Sequence, residues 1–133
     1  MIPAFNENGY LPAGIHHATV QEVRERFGTG SEQREAQAQS LEWLIPLCRR
    51  AGITRLLING SFVTDRLEPN DVDCVLLQGP GYRANSAASA ELRVGLPFLE
   101  IKIVGEVDYR FFAETVFGTD RDWTPKGVIE VEL

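Results

Sequence analysis

The sequence predicts a mixed α/β domain, an α+β arrangement in which a small mixed sheet is covered by helices. Three observations carry that expectation. Helix-favouring stretches alternate with short runs of Ile, Leu and Val. Glycine and proline mostly fall between these runs. The chain has 133 residues, 44% hydrophobic and 24% charged, which suits one globular domain spanning 1–133 with no repeat, linker or low-complexity tract.

Residues 1–18 contain Pro3, Gly9, Pro12 and Gly14, too many breaks for a helix or a long strand, yet Ile2, Phe5, Tyr10, Leu11 and Ile15 are too apolar for a free tail. An extended arm packed on the domain is expected. Thr19 with Glu22 has capping-box spacing and opens a short helix over 20–27, ended by Gly28. Residues 31–50 read as a long helix whose apolar positions, Leu41, Leu44, Ile45 and Cys48, come late. Pro46 should disturb its last turns and Gly52 should stop it.

Strands are expected over 53–58, 71–78, 97–104 and 127–133, and a helix over 85–93. Alternation in the third strand puts Phe98, Glu100 and Lys102 on one face and Leu99, Ile101 and Ile103 on the other. Asp108 is read as the cap of a helix running to Phe117, with Phe111, Phe112, Thr115 and Val116 as its apolar stripe.

The net charge of −6 argues against non-specific DNA or RNA binding, which depends on Lys and Arg neutralising phosphates. It leaves room for a nucleotide held through a metal ion. Cys48 and Cys74 belong to no CxxC pair and read as small buried hydrophobes. No apolar run is long enough to span a membrane and the first residues lack signal-peptide features, so no membrane association and a cytoplasmic location are expected.

One constellation carries chemistry. Asn59-Gly60-Ser61 breaks a strand, and Asp71-Val72-Asp73 opens the next. Residues two apart on a strand share a face, so Asp71 and Asp73 would present paired carboxylates, which repel unless a cation lies between them. Mg²⁺ prefers such hard oxygen ligands. Gly60 allows close backbone approach to a phosphate, and the Ser61 hydroxyl with neighbouring N–H groups suits anionic oxygens. Glu100, flanked by Leu99 and Ile101, is the best third carboxylate, as metal ligand and base for an acceptor hydroxyl. Glu106 and Asp108 are weaker rivals. Arg66, Arg83 and Lys102 are cations that could meet a triphosphate.

Gly60-Ser61, Pro69-Asn70-Asp71-Val72-Asp73 and Leu99-Glu100-Ile101 together resemble the polymerase-β-like nucleotidyltransferase superfamily. The resemblance covers the motif-bearing core, roughly 53–104. It implies a nucleotidyltransferase-like fold, Mg²⁺ or Mn²⁺ held by Asp71, Asp73 and Glu100, and a nucleoside triphosphate, with ATP expected. Gly60, Ser61, Arg66 and Lys102 would then serve the nucleotide. The small size resembles minimal nucleotidyltransferases, several of which sit in toxin–antitoxin pairs. The Pro-Ala-Phe-Asn and Leu-Pro-Ala-Gly-Ile-His opening and the Asp-Arg-Asp and Pro-Lys-Gly ending also resemble an uncharacterised bacterial group with this core. Two departures stand out: the third acidic position is Glu, and Phe-Val-Thr-Asp-Arg follows Ser61 where small residues with Arg-Gly are frequent.

The expected activity is nucleotidyl transfer from an NTP to a hydroxyl on a protein, an RNA end or a small molecule. The alternative is a weak or inactive module of the same fold, serving as antitoxin or regulatory subunit; a structural subunit without ligand is third. Glu100 paired with Lys102 on a solvated face, and His16-His17 as packing or surface residues, are the plainer readings. Trp43 and Trp123 are expected in a core or interface. A protein partner and a homo-oligomer both remain open, and the apolar arm could serve an interface.

Overall fold

The computed structural model describes residues 2–133. A five-stranded mixed sheet forms the centre, with strands β1 (Gly14–Ala18), β2 (Ile53–Asn59), β3 (Val72–Gln78), β4 (Leu99–Val104) and β5 (Gly127–Val131) in the order β1-β5-β2-β3-β4. β1 runs parallel to β5 and β3 parallel to β4, while β2 is antiparallel to both its neighbours.

Helices α1 (Val20–Phe27), α2 (Glu32–Ala51) and α3 (Ala87–Val94) cover one face, and α4 (Glu106–Phe111) continues into a π-helical turn, Phe112–Val116, on the other. The first face packs Leu44, Cys48, Leu56, Ile58, Val72, Cys74, Leu76 and Ile129 into the main core. The second packs Leu57, Val75, Leu77 and Val128 under Tyr109, Ala113 and Phe117. Central strands covered on both faces explain the unbroken apolar runs Leu56-Leu57-Ile58 and Cys74-Val75-Leu76-Leu77. Edge strand β4 alternates as its sequence predicts.

The mixed α+β architecture is the expected one, and both helix signals in the first third hold. Thr19 Oγ1 accepts from the Glu22 N–H at 3.1 Å and the Glu22 side chain accepts from the Thr19 N–H. Ser31 caps α2, and Gly52 closes it at φ +86°, where a side chain would be strained. Both cysteines are free and buried, and burial pushes the Cys48 thiol up to about 12. No helix among the described residues is long and apolar enough to cross a membrane.

Several expectations are corrected. The arm ends in β1, which joins the sheet as an edge strand. Pro46 does not break α2: its ring is exposed, and buried Leu44, Ile45, Leu47 and Cys48 hold the turns around the missing N–H. β3 begins at Val72, leaving Asp71 in the preceding loop. α4 begins at Glu106, so Asp108 lies inside its first turn rather than capping it. Its buried side is Tyr109, Ala113 and Phe117, because those residues meet the sheet, while Phe111 and Val116 face solvent. Trp43 is 51% and Trp123 81% exposed, so neither belongs to the core.

One charge is buried deliberately under α4. Glu130 in β5 accepts from Arg55 through both carboxylate oxygens, meets His17 Nδ1 at 3.2 Å and accepts from the Tyr109 hydroxyl at 3.3 Å. Burial raises the Glu130 carboxyl, and these partners more than offset it, leaving it below the ordinary range. Arg55→Met is expected to destabilise the fold by about 1–3 kcal/mol at pH 7, since a buried carboxylate loses its main partner. The loss should shrink as pH falls below the unfolded carboxylate value of 4.5. Urea unfolding at pH 7 and pH 4 measures both; an equal loss at the two would refute the assignment.

Candidate functional site

The site grows from strand register on the α4 face of the sheet. Asn59 of β2 pairs with Asp73 of β3, and Asp73 pairs with Glu100 of β4. One row across three strands therefore carries an amide and two carboxyl groups on the same face. α4 covers the apolar rows below and leaves this row open at its outer end, where Glu100 is exposed.

The Asp73 and Glu100 carboxyl groups face each other closely enough to share a proton. Burial, the hydrogen bond that the protonated Asp73 carboxyl donates to Glu100 and the charge of Glu100 together push the Asp73 carboxyl up to about 6, against the opposing pull of Lys102 and Lys126. Lys126 itself is lowered by burial, with Asp73 and Asp120 acting the other way. Asn59 is 2% exposed and its Oδ1 is without a hydrogen-bond partner.

Gly60 follows at φ +96°, and a Cβ there would lie 3.1 Å from Asp73 Oδ2. Both the backbone conformation and this close approach require glycine. Ser61 opens a single 3₁₀ turn, Ser61–Val63, and its Oγ accepts from the Asn70 N–H at 2.7 Å. The serine thus ties the two ends of the 61–70 loop together.

The polar first half of α2 holds that loop from below. Arg34 is buried, and its five N–H donors go to the carbonyl oxygens of Phe27, Phe62, Thr64 and, twice, Arg66. Gln33 donates to the Pro69 carbonyl and Gln37 to that of Asn70 at 2.8 Å. This explains why the apolar positions of α2 come late: its early turns bind backbone instead of packing a core.

A cleft of about 650 Å³ gathers Gly60, Ser61, Asn70, Asp71, Asp73, Glu100 and Arg121. A second of about 840 Å³ adjoins it and shares Gly60, Ser61, Asn70 and Arg121; Arg66 lines this one. Lys102 lines neither cleft and stands beside Glu100, its Nζ 3.9 Å from Oε1. Asp71 is exposed in its loop. Arg83 sits at the other end of the sheet, its N–H bonded to the Ala51 carbonyl. Glu106 and Asp108 are exposed on α4 and line neither cleft. His16 bonds the Pro12 carbonyl, and His17 meets Glu130.

Among the described residues, no three His, Cys, Asp or Glu side chains are gathered to hold a metal. Asp71, Asp73 and Glu100 line the same cleft, with Asp73 and Glu100 paired by strand register and Asp71 on the loop before β3. Asp73 and Glu100 with the unpartnered Asn59 oxygen nearby form an all-oxygen donor set that fits Mg²⁺, which commonly takes one or two carboxylates and fills its shell with water. The sequence reading missed Asn59, Arg121 and Lys126. Asn59 was legible in principle, since alternation along β2 places it on Asp73's face.

A carboxyl raised in the folded chain favours folding below its unfolded value, and that contribution is lost as pH rises through about 6. Without divalent cations, Asp73→Asn is expected to stabilise the chain by about 1–2 kcal/mol at pH 8, after discount for partial exposure, and to leave it near the native value at pH 4. Urea unfolding at both pH values checks this; a stabilisation of equal size at pH 4 would contradict it.

Against known proteins, the chain matches the family of unknown function (DUF6932) over residues 3–132 and belongs to that family. No curated protein and no solved structure matches it.

Proposed function

We propose that this member of the family is a Mg²⁺- or Mn²⁺-dependent nucleotidyltransferase of the polymerase-β-like type. Its donor is a nucleoside triphosphate, with ATP expected, and its acceptor is a hydroxyl on a protein, an RNA end or a small molecule. The observation that carries this reading is the meeting of Asp73 and Glu100 on adjacent parallel strands beside the Gly60-Ser61 turn. Two carboxyl groups in contact are unfavourable without a cation, and the Gly60-Ser61 turn that lines the same cleft suits a phosphate.

Bound Mg²⁺ would neutralise the pair and polarise the phosphate. Asp73 and Glu100 would hold the ion. The Gly60-Ser61 turn would line the path of the triphosphate, and Arg121, which lines both clefts, would neutralise phosphate. The acceptor oxygen attacks the α-phosphorus, the bond to pyrophosphate breaks, and exposed Glu100 receives the hydroxyl proton. A cytoplasmic setting, where nucleoside triphosphates abound, fits this chemistry, and so does a toxin–antitoxin pair with a protein acceptor.

Saturating ATP with Mg²⁺ is expected to raise the melting temperature by roughly 5 °C. Asp73→Asn should abolish the rise. No shift with any NTP, together with no labelled acceptor in lysate, would sink the proposal.

A second reading is favoured by one observation: Asp71 stands outside β3 and is exposed, so it is held by a loop and not by strand register. An inactive binding module of this fold, acting as antitoxin or regulatory subunit, would tolerate that. Asp71→Ala separates the two. It should lower labelling of acceptor at least tenfold in an enzyme that recruits Asp71 on binding nucleotide, and leave partner binding unchanged in a module.

A further inference from the structure

The larger cleft has a composition unlike the rest of the molecule. In a chain of net charge −6, Arg66, Arg121 and Lys126 line one hollow. Its carboxylates are two, Asp65 and Asp120, and Asp120 is engaged. Asp120 accepts from the Tyr10 hydroxyl at 2.8 Å and from the N–H groups of Asp122 and Thr124 at 2.8 and 2.9 Å. Those bonds, with Trp123 N–H to the Asp120 carbonyl at 3.1 Å, close a tight loop. Trp123 stands on it, 81% exposed, at φ +64°. That conformation is unfavourable for a bulky side chain.

We propose that this cleft takes the base and ribose of the nucleotide, with the indole of Trp123 stacked on the base. Arg66 and Lys126 flank the sugar end, and Arg121 passes the phosphates to the Asp73–Glu100 cleft it also lines. The inference rests on the reading of that neighbouring cleft as the triphosphate site. A cleft of about 840 Å³ lies within the roughly 300–1,000 Å³ usual for small-molecule sites. An aromatic face with cations around it is the chemistry that binds a nucleobase joined to phosphate. The acidic balance of the whole chain favours one mononucleotide over a nucleic-acid strand.

Trp43, the only other tryptophan, lies on α2 and lines neither cleft. In a Trp43→Phe background, ATP with Mg²⁺ is expected to quench Trp123 fluorescence saturably. Inorganic tripolyphosphate with Mg²⁺ should bind by calorimetry without quenching. Trp123→Ala should bind ATP roughly ten- to hundredfold more weakly, Trp123→Phe should keep most of the affinity, and neither change should affect tripolyphosphate. If Trp123→Ala binds ATP as tightly as the native chain, the base site is overturned and the triphosphate reading survives. If quenching persists in Asp73→Asn without Mg²⁺, the base site stands and the metal-dependent reading falls. If neither ligand binds, both fall.

Discussion

Parallel pairing of β3 with β4 sets Asp73 beside Glu100, and much of the surrounding construction serves that contact. The residue after β2 must be a glycine, because Gly60 turns the chain at φ +96° beside Asp73. The loop that follows anchors Phe62 and Val63 in the core, while its remaining residues, Thr64 to Asn70, are held through their backbone. Arg34, Gln33 and Gln37 hold it through its carbonyl oxygens, so half of a long helix is given over to polar work. A guanidinium suits this task better than an ammonium, because its five donors lie in a fixed plane.

The same sheet face treats its carboxylates in two ways. Glu130, in the row below, has a bidentate arginine, a tyrosine hydroxyl and a histidine around it, and α4 closes over the group. Asp73 has another carboxyl for a neighbour and only lysines at longer range. A chain able to neutralise one acidic group so fully has left the other pair to the open end of the sheet. This contrast between neighbouring rows is the physical ground on which the proposed chemistry rests.

What the sequence made legible follows range of interaction. The capping box of α1, the glycine stop of α2 and the alternation that brings Glu100 onto Asp73's face are local patterns, and they read correctly. Asp71 misread because its place depends on Gln33 and Gln37 capturing the carbonyls of Pro69 and Asn70, a contact across 30 or more residues of chain. β1 was hidden because Gly14 pairs with Gly127, at the far end of the sequence. Arg121, Trp123 and Lys126 lie in a loop without periodicity, and the Asp120 bond to Tyr10 ties that loop to the arm beside the cleft.

The strand order has a consequence for biosynthesis. β5 is the last strand of the chain, yet it lies between β1 and β2. Until it emerges, β1 has no partner in the sheet and β2 presents a bare edge of backbone N–H and carbonyl groups, an adhesive surface for other nascent chains. The cleft near Trp123 is equally late, since its loop immediately precedes β5. A ribosome that stops short of β5 would therefore release an adhesive fragment with an unfinished larger cleft, so partial products are poor candidates for residual activity and good ones for aggregation.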